Sequence, residues 1–400
     1  MTHHPDSAPL PAAAPSPERE RTKPSTGAPD VGRLIGLDLA RGLAVFGMYA
    51  VHVGPAPSQG GAIGFLMELA QGRSSALFAV LAGFAVALIT GRRTPKTGLA
   101  GRQAVAKVVI RAVILLALGT ALTMTGTPVV PILAFYGLFF LLVLPLYRLG
   151  TKPLALIAAG WALVGPQLLY LLKPVVGGRA FPTVGQADGI VSLLFTGGYP
   201  ALTWVPFVIA GMAVARLDLA ATAIRTRLAL TGVALAVTGY GGSWLALRLV
   251  PGAAEAIRKT AGGQGMSSAP PGSEGIFGDT PAGMLVASPH SEATLSIVGN
   301  TGVAILVITA CLAAIDALPR LRRLGKPVIA VGSMSLTAYV YHIVAIWLLD
   351  TEETTVPPLY ILLGFIASVT VLATIWSRFF KRGPLEWLMG RATGIARRIQ

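Results

Sequence analysis

Ionisable side chains inside apolar segments are the residues of this sequence best suited to chemistry. The first apolar segment contains Asp38, Arg41 and His52. With two apolar residues they form a series in steps of three and four, which places all five on one stripe of a helix: Asp38, Arg41, Val45, Met48 and His52. Asp38 and Arg41 are close enough to pair, and His52 lies about 20 Å further along at 1.5 Å per residue. An imidazole at that position can act as a general base near neutral pH.

The pair Asp38–Arg41 has two interpretations that the sequence leaves open. One is a local ion pair that neutralises two charges which are costly inside a membrane. The other is a part of a catalytic site. His52 likewise has the alternative interpretation of an amphipathic group at a membrane interface.

The second apolar segment opens with polar residues, among them Arg73 and Ser75. Arg73 lies deep enough to need a partner, either an ion pair such as Glu68 or Asp38, or a bound phosphate or carboxylate. Ser75 is a candidate substrate-binding residue. In the third segment, Arg111 follows a basic loop, and a side chain that extends back to the cytoplasmic headgroups is the favoured interpretation.

A late apolar segment carries Ser335, Tyr339 and His342 on one helical face, at spacings of four and three. Tyr339 and His342 are candidate substrate-binding residues, and interhelical hydrogen bonding is the alternative. His290, in the loop before the eighth segment, is a weaker candidate for the same role.

Composition shows which elements position these residues. The chain has 400 residues, of which 54% are hydrophobic and only 12% are charged, whereas a soluble domain is about a quarter charged. The backbone in hydrocarbon must satisfy its own hydrogen bonds, which leaves helices or closed barrels. The apolar runs are too long and unbroken for barrel strands. We therefore predict an all-α, polytopic transmembrane helical bundle.

A span needs about twenty apolar residues, and that length predicts about ten spans. They are expected near residues 34–53, 66–90, 105–125, 129–147, 153–172, 199–215, 228–249, 294–318, 327–349 and 358–379. The sixth is short, so residues 187–198 are also compatible with a re-entrant or interfacial piece.

The distribution of basic residues predicts the orientation. If both termini lie inside the cell, the cytoplasmic segments hold 24 of the 32 Lys and Arg residues, in agreement with the positive-inside rule. The net charge of +15 is thus explained by topology and not by nucleic-acid binding. We predict a multi-pass protein of the plasma membrane with both termini in the cytoplasm.

The chain divides into a membrane domain and three less regular pieces. Residues 1–32 are predicted to be a disordered cytoplasmic tail, residues 33–380 the transmembrane domain, and residues 381–400 a basic cytoplasmic tail. Within the domain, residues 251–292 form a long extracytoplasmic loop, which is either disordered or functional. The single Cys311 indicates a buried apolar residue, and no metal site and no soluble-enzyme signature is found.

The first segment, from Arg33 to His52, resembles the first span of the bacterial membrane acyltransferase superfamily, which begins Asp-x-x-Arg-Gly-x-Ala. The stretch 72–84 is similar to the second-span motif of that superfamily. The later stretches 325–339 and 383–387 resemble the YeiB-like branch, whose members are often labelled heparan-alpha-glucosaminide N-acetyltransferase-like.

This resemblance implies transfer of an acyl group, with acetyl-CoA or another acyl-CoA as the cytoplasmic donor and a glycan or lipid acceptor at the outer face. His52 would be the general base or a transient acyl carrier, with Asp38 and Arg41 beside it in the catalytic set. Arg73 and Arg111 would hold the CoA phosphates or the developing oxyanion. Two other classes stay open: a transporter that uses the intramembrane charges, and a structural or signalling scaffold. The oligomeric state is not predicted.

Overall fold

The computed structural model describes residues 31–177, 189–263, 281–351 and 354–399. Within these ranges the chain is all-α, with helices joined by turns and no β-strand. The predicted tail 1–32 lies almost wholly outside the described residues, as does the middle of the predicted loop 251–292.

The first half of the chain contains both long and short helices. They are α1 (Val31–Val53), α2 (Gly61–Ala70), α3 (Arg73–Thr90), α4 (Gly98–Thr123), α5 (Leu133–Val143), α6 (Thr151–Gly177), α7 (Gly189–Val191) and α8 (Ala201–Ala215).

The second half continues the bundle and ends in short helices. They are α9 (Thr222–Ala236), α10 (Gly242–Leu249), α11 (Ala253–Gly263), α12 (Thr294–Ala317), α13 (Pro319–Leu324), α14 (Lys326–Ser333), α15 (Ser335–Leu349), α16 (Pro358–Phe379) and α17 (Pro384–Ala392).

The helices confirm a multi-pass membrane protein. Among the described residues, six helical stretches are long and apolar enough to cross a membrane, and the number rises to eight if each of two bent helix pairs counts as one span. Each of the ten predicted segments coincides with a helix or a helix pair, but α5 is short for a span. The number ten and the orientation of the termini stay predictions.

The predicted ninth span is not one straight helix. It breaks between Ser333 and Ser335, where α14 and α15 meet at an angle of 85°. Glycine lets α14 approach α1 so closely that a Cβ on Gly332 would overlap the carbonyl oxygen of Asp38. The sixth predicted span is also preceded by a bend, of 72°.

The centre of the bundle is formed by α1, α3, α8 and α12. Each of α3 and α8 has a glycine where the two helices touch. A Cβ on Gly83 of α3 would overlap the Val208 carbonyl of α8, and a Cβ on Gly211 of α8 would overlap the Val80 carbonyl of α3. This packing holds α1 and α3, which carry most of the predicted site residues, in the interior.

The predicted basic tail is also structured where it is described. Residues 384–392 form α17, and residues 393–398 form a 3-10 turn. The segment docks on the bundle through Gln103, whose amide donates to the Ile399 carbonyl at 3.1 Å.

Candidate active site

Two histidines from opposite ends of the chain meet in the bundle. Nδ1 of His52, at the end of α1, lies 3.0 Å from Nε2 of His342 on α15. Their rings are nearly parallel, with an interplanar angle of 6°. His342 is fully buried and His52 only partly, so His52 is the more accessible member of the pair.

The surroundings of His342 favour one arrangement of protons. Its other nitrogen, Nδ1, is buried and has no hydrogen-bond partner among the described residues, and the backbone groups of Ala338 and Tyr339 act on the ring as acceptors. Such acceptors favour a proton on Nδ1, which leaves Nε2 of His342 to accept from Nδ1–H of His52. Nε2 of His52, which has no hydrogen bond to any described residue, then carries a lone pair.

Tyrosines fix the pair in place. The Tyr49 hydroxyl donates to the Ala338 carbonyl at 2.7 Å, and the Tyr49 ring lies 4.7 Å from that of His342. Tyr339 packs its edge against His342 at 4.8 Å and accepts a hydrogen bond from the Ile132 amide at 3.0 Å. The structure therefore brings Tyr339, His342 and His52 together.

His290 lies near the same pair, close enough to interact electrostatically with His52. Its backbone has φ of 53°, a left-handed conformation that is unusual for a residue other than glycine. Its ring packs on Tyr199 at 5.8 Å and on Trp204 at 6.0 Å. Burial lowers the pKa of His290 to about 4, so the ring is neutral at physiological pH.

Glu292 anchors the turn that carries His290, and the sequence analysis missed it. Its carboxyl group accepts from the Thr203 hydroxyl at 2.7 Å and from the Trp204 indole at 3.1 Å. Like His290 it has a positive φ, of 56°. No described Lys or Arg pairs with it, and burial raises its pKa to about 8. A neutral carboxylic acid is therefore the form that the fold stabilises.

A cavity of about 260 Å³ opens among α1, α3, α4, α5, α14, α15 and α17. Charged residues at its wall include Arg41, Arg111 and Glu386, and its apolar wall includes Phe78 and Tyr136. The rings of Phe78 and Tyr136 stack at 5.9 Å. Phe78 also lies 6.4 Å from Tyr339, so a line of aromatic rings runs from this cavity to His342.

The cavity has an excess of positive charge. The guanidinium of Arg111 lies near those of Arg41 and Arg382, with which it has repulsive interactions. Asp38 pairs with Arg41 at 2.6 Å, so the predicted local ion pair forms. Glu386 is already bound to the start of α15. The remaining positive charge suits an anionic ligand.

Arg73 is not part of this cavity. Its guanidinium donates to the Tyr240 hydroxyl at 3.1 Å and to the Glu68 carbonyl at 2.7 Å, and it lies over the Tyr240 ring. Tyr240 in turn donates to Asn300 at 2.7 Å. The two predicted phosphate-binding arginines, Arg73 and Arg111, thus lie at different places.

Ser75 is buried beside the aromatic line. Its side chain lies close to that of Tyr199, and its carbonyl accepts a long contact of 3.5 Å from the Tyr136 hydroxyl. Among the described residues, no group of three or more His, Cys, Asp or Glu could hold a metal ion.

Comparisons with known families divide the chain in two. Residues 33–244 match the family described as heparan-alpha-glucosaminide N-acetyltransferase, catalytic. Residues 282–396 match a protein family of unknown function, DUF418. His52 and Arg111 lie in the first region, and His342 and Glu292 lie in the second, so the site combines both. No curated protein matches the chain.

Proposed function

The chain belongs to the heparan-alpha-glucosaminide N-acetyltransferase catalytic family, which matches more than half of it, and on that premise we propose that it acetylates a glycan or lipid. The donor is acetyl-CoA in the cytoplasm, and the acceptor is a hydroxyl or amine at the outer face of the plasma membrane. The observation that carries this proposal is the hydrogen-bonded pair His52–His342, joined by aromatic rings to an arginine-lined cavity.

The cavity with Arg41 and Arg111 is the donor site. Phosphates of CoA bind the guanidinium groups, and the pantetheine arm extends along Phe78 and Tyr136 toward the histidines. Arg41 and His52 are eleven residues apart on α1, which is about 16 Å at 1.5 Å per residue. A long flexible arm is therefore needed to bring the thioester from one to the other.

His52 is the general base. Nε2 of His52 removes the proton of the acceptor hydroxyl or amine as its oxygen or nitrogen attacks the thioester carbonyl. The tetrahedral intermediate collapses with cleavage of the carbon–sulfur bond, and the protonated His52 returns the proton to the CoA thiolate. A transient acetyl group on His52 itself is the alternative course.

His342 is a positioning residue that holds the tautomer of His52, as the carboxylate does in a serine-hydrolase triad. Tyr339, Ser75 and His290 surround the reacting groups and contribute to acceptor binding. Arg73 lies apart from the donor cavity and is assigned to the acceptor side, with Asp38 as the partner that keeps Arg41 in place.

Transfer from labelled donor tests this function. Membranes that contain the protein are incubated with radiolabelled acetyl-CoA, and incorporation into the lipid and polysaccharide fractions is counted. Wild-type protein is expected to give incorporation that His52→Ala abolishes, with both proteins present at equal amounts. Equal incorporation by the two would remove His52 from the mechanism, and no incorporation above empty membranes would contradict the function.

A transporter is the second candidate, because two helix pairs are bent at a break and broken helices often form transport sites. In such sites the free N–H groups at a half-helix start bind the substrate. Here the N–H groups of Leu336 and Thr337 are occupied by Glu386 of the same chain. Flux of solute in proteoliposomes without any acyl donor would favour the transporter.

A further inference from the structure

A second pocket, of about 470 Å³, lies at the C-terminal end of the described chain. It is formed by α17 and the 3-10 turn that follows, and we call it the C-terminal arginine pocket. Its lining residues are Arg382, Trp387, Gly390, Arg391, Gly394, Ile395, Arg397 and Arg398.

Four arginines converge on this pocket and no acidic residue lines it. None of the four pairs with a carboxylate of any described residue. Two unit charges 4 Å apart repel by about 1 kcal/mol even in bulk water, so their convergence is unfavourable without a counter-anion. Arginine is the side chain that best matches phosphate oxygens, through paired N–H donors.

Glycines let the guanidinium groups converge. A Cβ on Gly390 would lie 2.9 Å from Nη1 of Arg382, and the nearest atom to a Cβ on Gly394 is Nη2 of Arg397. A side chain at Gly390 would therefore displace the guanidinium of Arg382, whereas one at Gly394 would only contact that of Arg397.

An exposed aromatic ring borders the same charges. Trp387 is 53% exposed, and the guanidinium of Arg391 lies over its ring at 5.0 Å. An indole with an open face can stack on a heteroaromatic base. Phosphate-binding arginines beside such a ring are suited to a nucleotide more than to phosphate alone.

The pocket and the donor cavity are lined by different residues of the same helix, α17. Glu386 and Met389 on this helix line the cavity, whereas Trp387, Gly390 and Arg391 line the pocket. Arg382 lines the pocket and also lies close to Arg111 of the cavity. One ligand can therefore reach both.

We infer that the C-terminal arginine pocket binds the nucleotide half of the acyl-CoA donor, with the ribose phosphate on Arg397 and Arg398 and the adenine on Trp387, while the diphosphate bridge lies at Arg41 and Arg111 of the cavity. This inference rests on the proposed function, since it assigns the donor that the function requires. Phosphates of anionic lipid headgroups have the same chemistry, and the experiment separates the two sources.

The test is calorimetric binding of two donors to full-length protein in neutral phosphatidylcholine nanodiscs. Acetyl-CoA carries the nucleotide, and S-acetylpantetheine lacks it. The variant is Arg397→Ala with Arg398→Ala. The control is Arg322→Ala with Arg323→Ala, which removes the same charge from α13, outside the pocket.

Wild type and control are expected to bind acetyl-CoA more tightly than S-acetylpantetheine. The pocket variant is expected to bind acetyl-CoA at least about tenfold more weakly, the loss of one charge-assisted contact, with unchanged binding of S-acetylpantetheine. Equal acetyl-CoA binding by variant, control and wild type would overturn the inference and leave the proposed function intact. Absence of binding to the wild type would overturn both.

Nanodiscs with anionic phosphatidylglycerol distinguish the lipid source. If the pocket binds the donor, the variant's defect appears in neutral lipid. A difference between variant and wild type that appears only with anionic lipid would assign the pocket to headgroups and overturn the inference.

Discussion

At the scale of single residues, the contact between His52 and His342 decides which ring nitrogen can accept a proton. Because Nδ1 of His52 faces Nε2 of His342, the reactive lone pair lies on the accessible Nε2 of His52. The second ring is buried among tyrosines, which keeps it from turning away.

We predict that His342→Leu lowers kcat by about 10²-fold, at the lower end of what general-base catalysis contributes. The variant His342→Gln retains an oxygen that can accept from His52 and is expected to keep more activity than His342→Leu. The affinity for acetyl-CoA should stay unchanged in both, since neither touches the donor cavity. Equal activity of the two variants would contradict the hydrogen-bonding role.

Glu292 predicts a pH dependence of stability. Its pKa in the folded protein is about 8, above the ordinary value of 4.5, so the unfolded chain loses this proton first as pH rises. The folded state then binds more protons, and stability falls between about pH 4.5 and pH 8. Glu292→Gln, whose amide can replace the neutral acid, should remove this loss.

The measurement is the apparent melting temperature of purified protein at several pH values. Wild type and Glu292→Gln are expected to agree near pH 5, and the variant should melt at higher temperature near pH 8. His290 has the opposite effect, because its lowered pKa reduces stability as pH falls below about 6.5, but both proteins contain His290, so the difference between them reports Glu292 alone. A constant difference in melting temperature between the two proteins at all pH values would contradict the conclusion that Glu292 is a neutral acid in the folded protein.

The spacing of residues within each helix identified His52 and His342 as candidate site residues. It did not predict that the two side chains are in contact. Asp38, Arg41 and His52 lie on the stripe expected of them, and the Asp38–Arg41 pair forms. Glu292 and Arg382 were missed because they lie in segments interpreted as a loop and a tail. Their partners are on other elements, and helical periodicity contains no information on such contacts.

At the scale of elements, the break between α14 and α15 forms part of the wall of the cavity that we propose as the donor site. Hydropathy predicted one span over residues 327–349, because most residues of this segment are apolar, and hydropathy carries no information on backbone direction. The carboxylate of Glu386 accepts from the Leu336 amide at 2.7 Å and from the Thr337 hydroxyl at 2.6 Å. It thereby satisfies N–H groups that the bend leaves free.

We predict that Glu386→Ala destabilises the protein by about 2 kcal/mol, the upper range for loss of a helix cap. Glu386→Gln, which still offers an acceptor oxygen, should lose less. Glu255→Ala is the control, because its pair with Lys259 is exposed and such pairs contribute little. Thermal melting in detergent measures all three, and a Glu386→Ala melting curve that matches the control would show that the cap is not needed.

At the scale of the whole molecule, the proposed reaction needs access to both faces of the membrane. The donor cavity has Arg41 and Arg111 on its wall, and His52 lies at the other end of α1. Composition was sufficient to predict the all-α membrane fold, because the constraint on the backbone in hydrocarbon acts on every segment. The contact between His52, near the start of the chain, and His342, near its end, could not be predicted from composition.

Cysteine labelling checks the orientation. Ser58→Cys, between α1 and α2, is expected to react with an impermeant maleimide in intact cells. Thr94→Cys, in the turn with Arg92, Arg93 and Lys96, should react only after permeabilisation, because basic turns stay inside. The native Cys311 is buried and gives a low background. The opposite pattern would invert the topology and place the donor cavity outside.

The most direct test of the acetyltransferase function is calorimetric binding of acetyl-CoA to purified protein. Arg111→Ala removes a cavity charge, whereas Arg73→Ala removes one that the structure places with Tyr240. We expect micromolar binding, about −8 kcal/mol, that Arg111→Ala weakens at least tenfold and Arg73→Ala leaves unchanged. No binding to the wild type, or an equal loss in both variants, would contradict a donor site in this cavity.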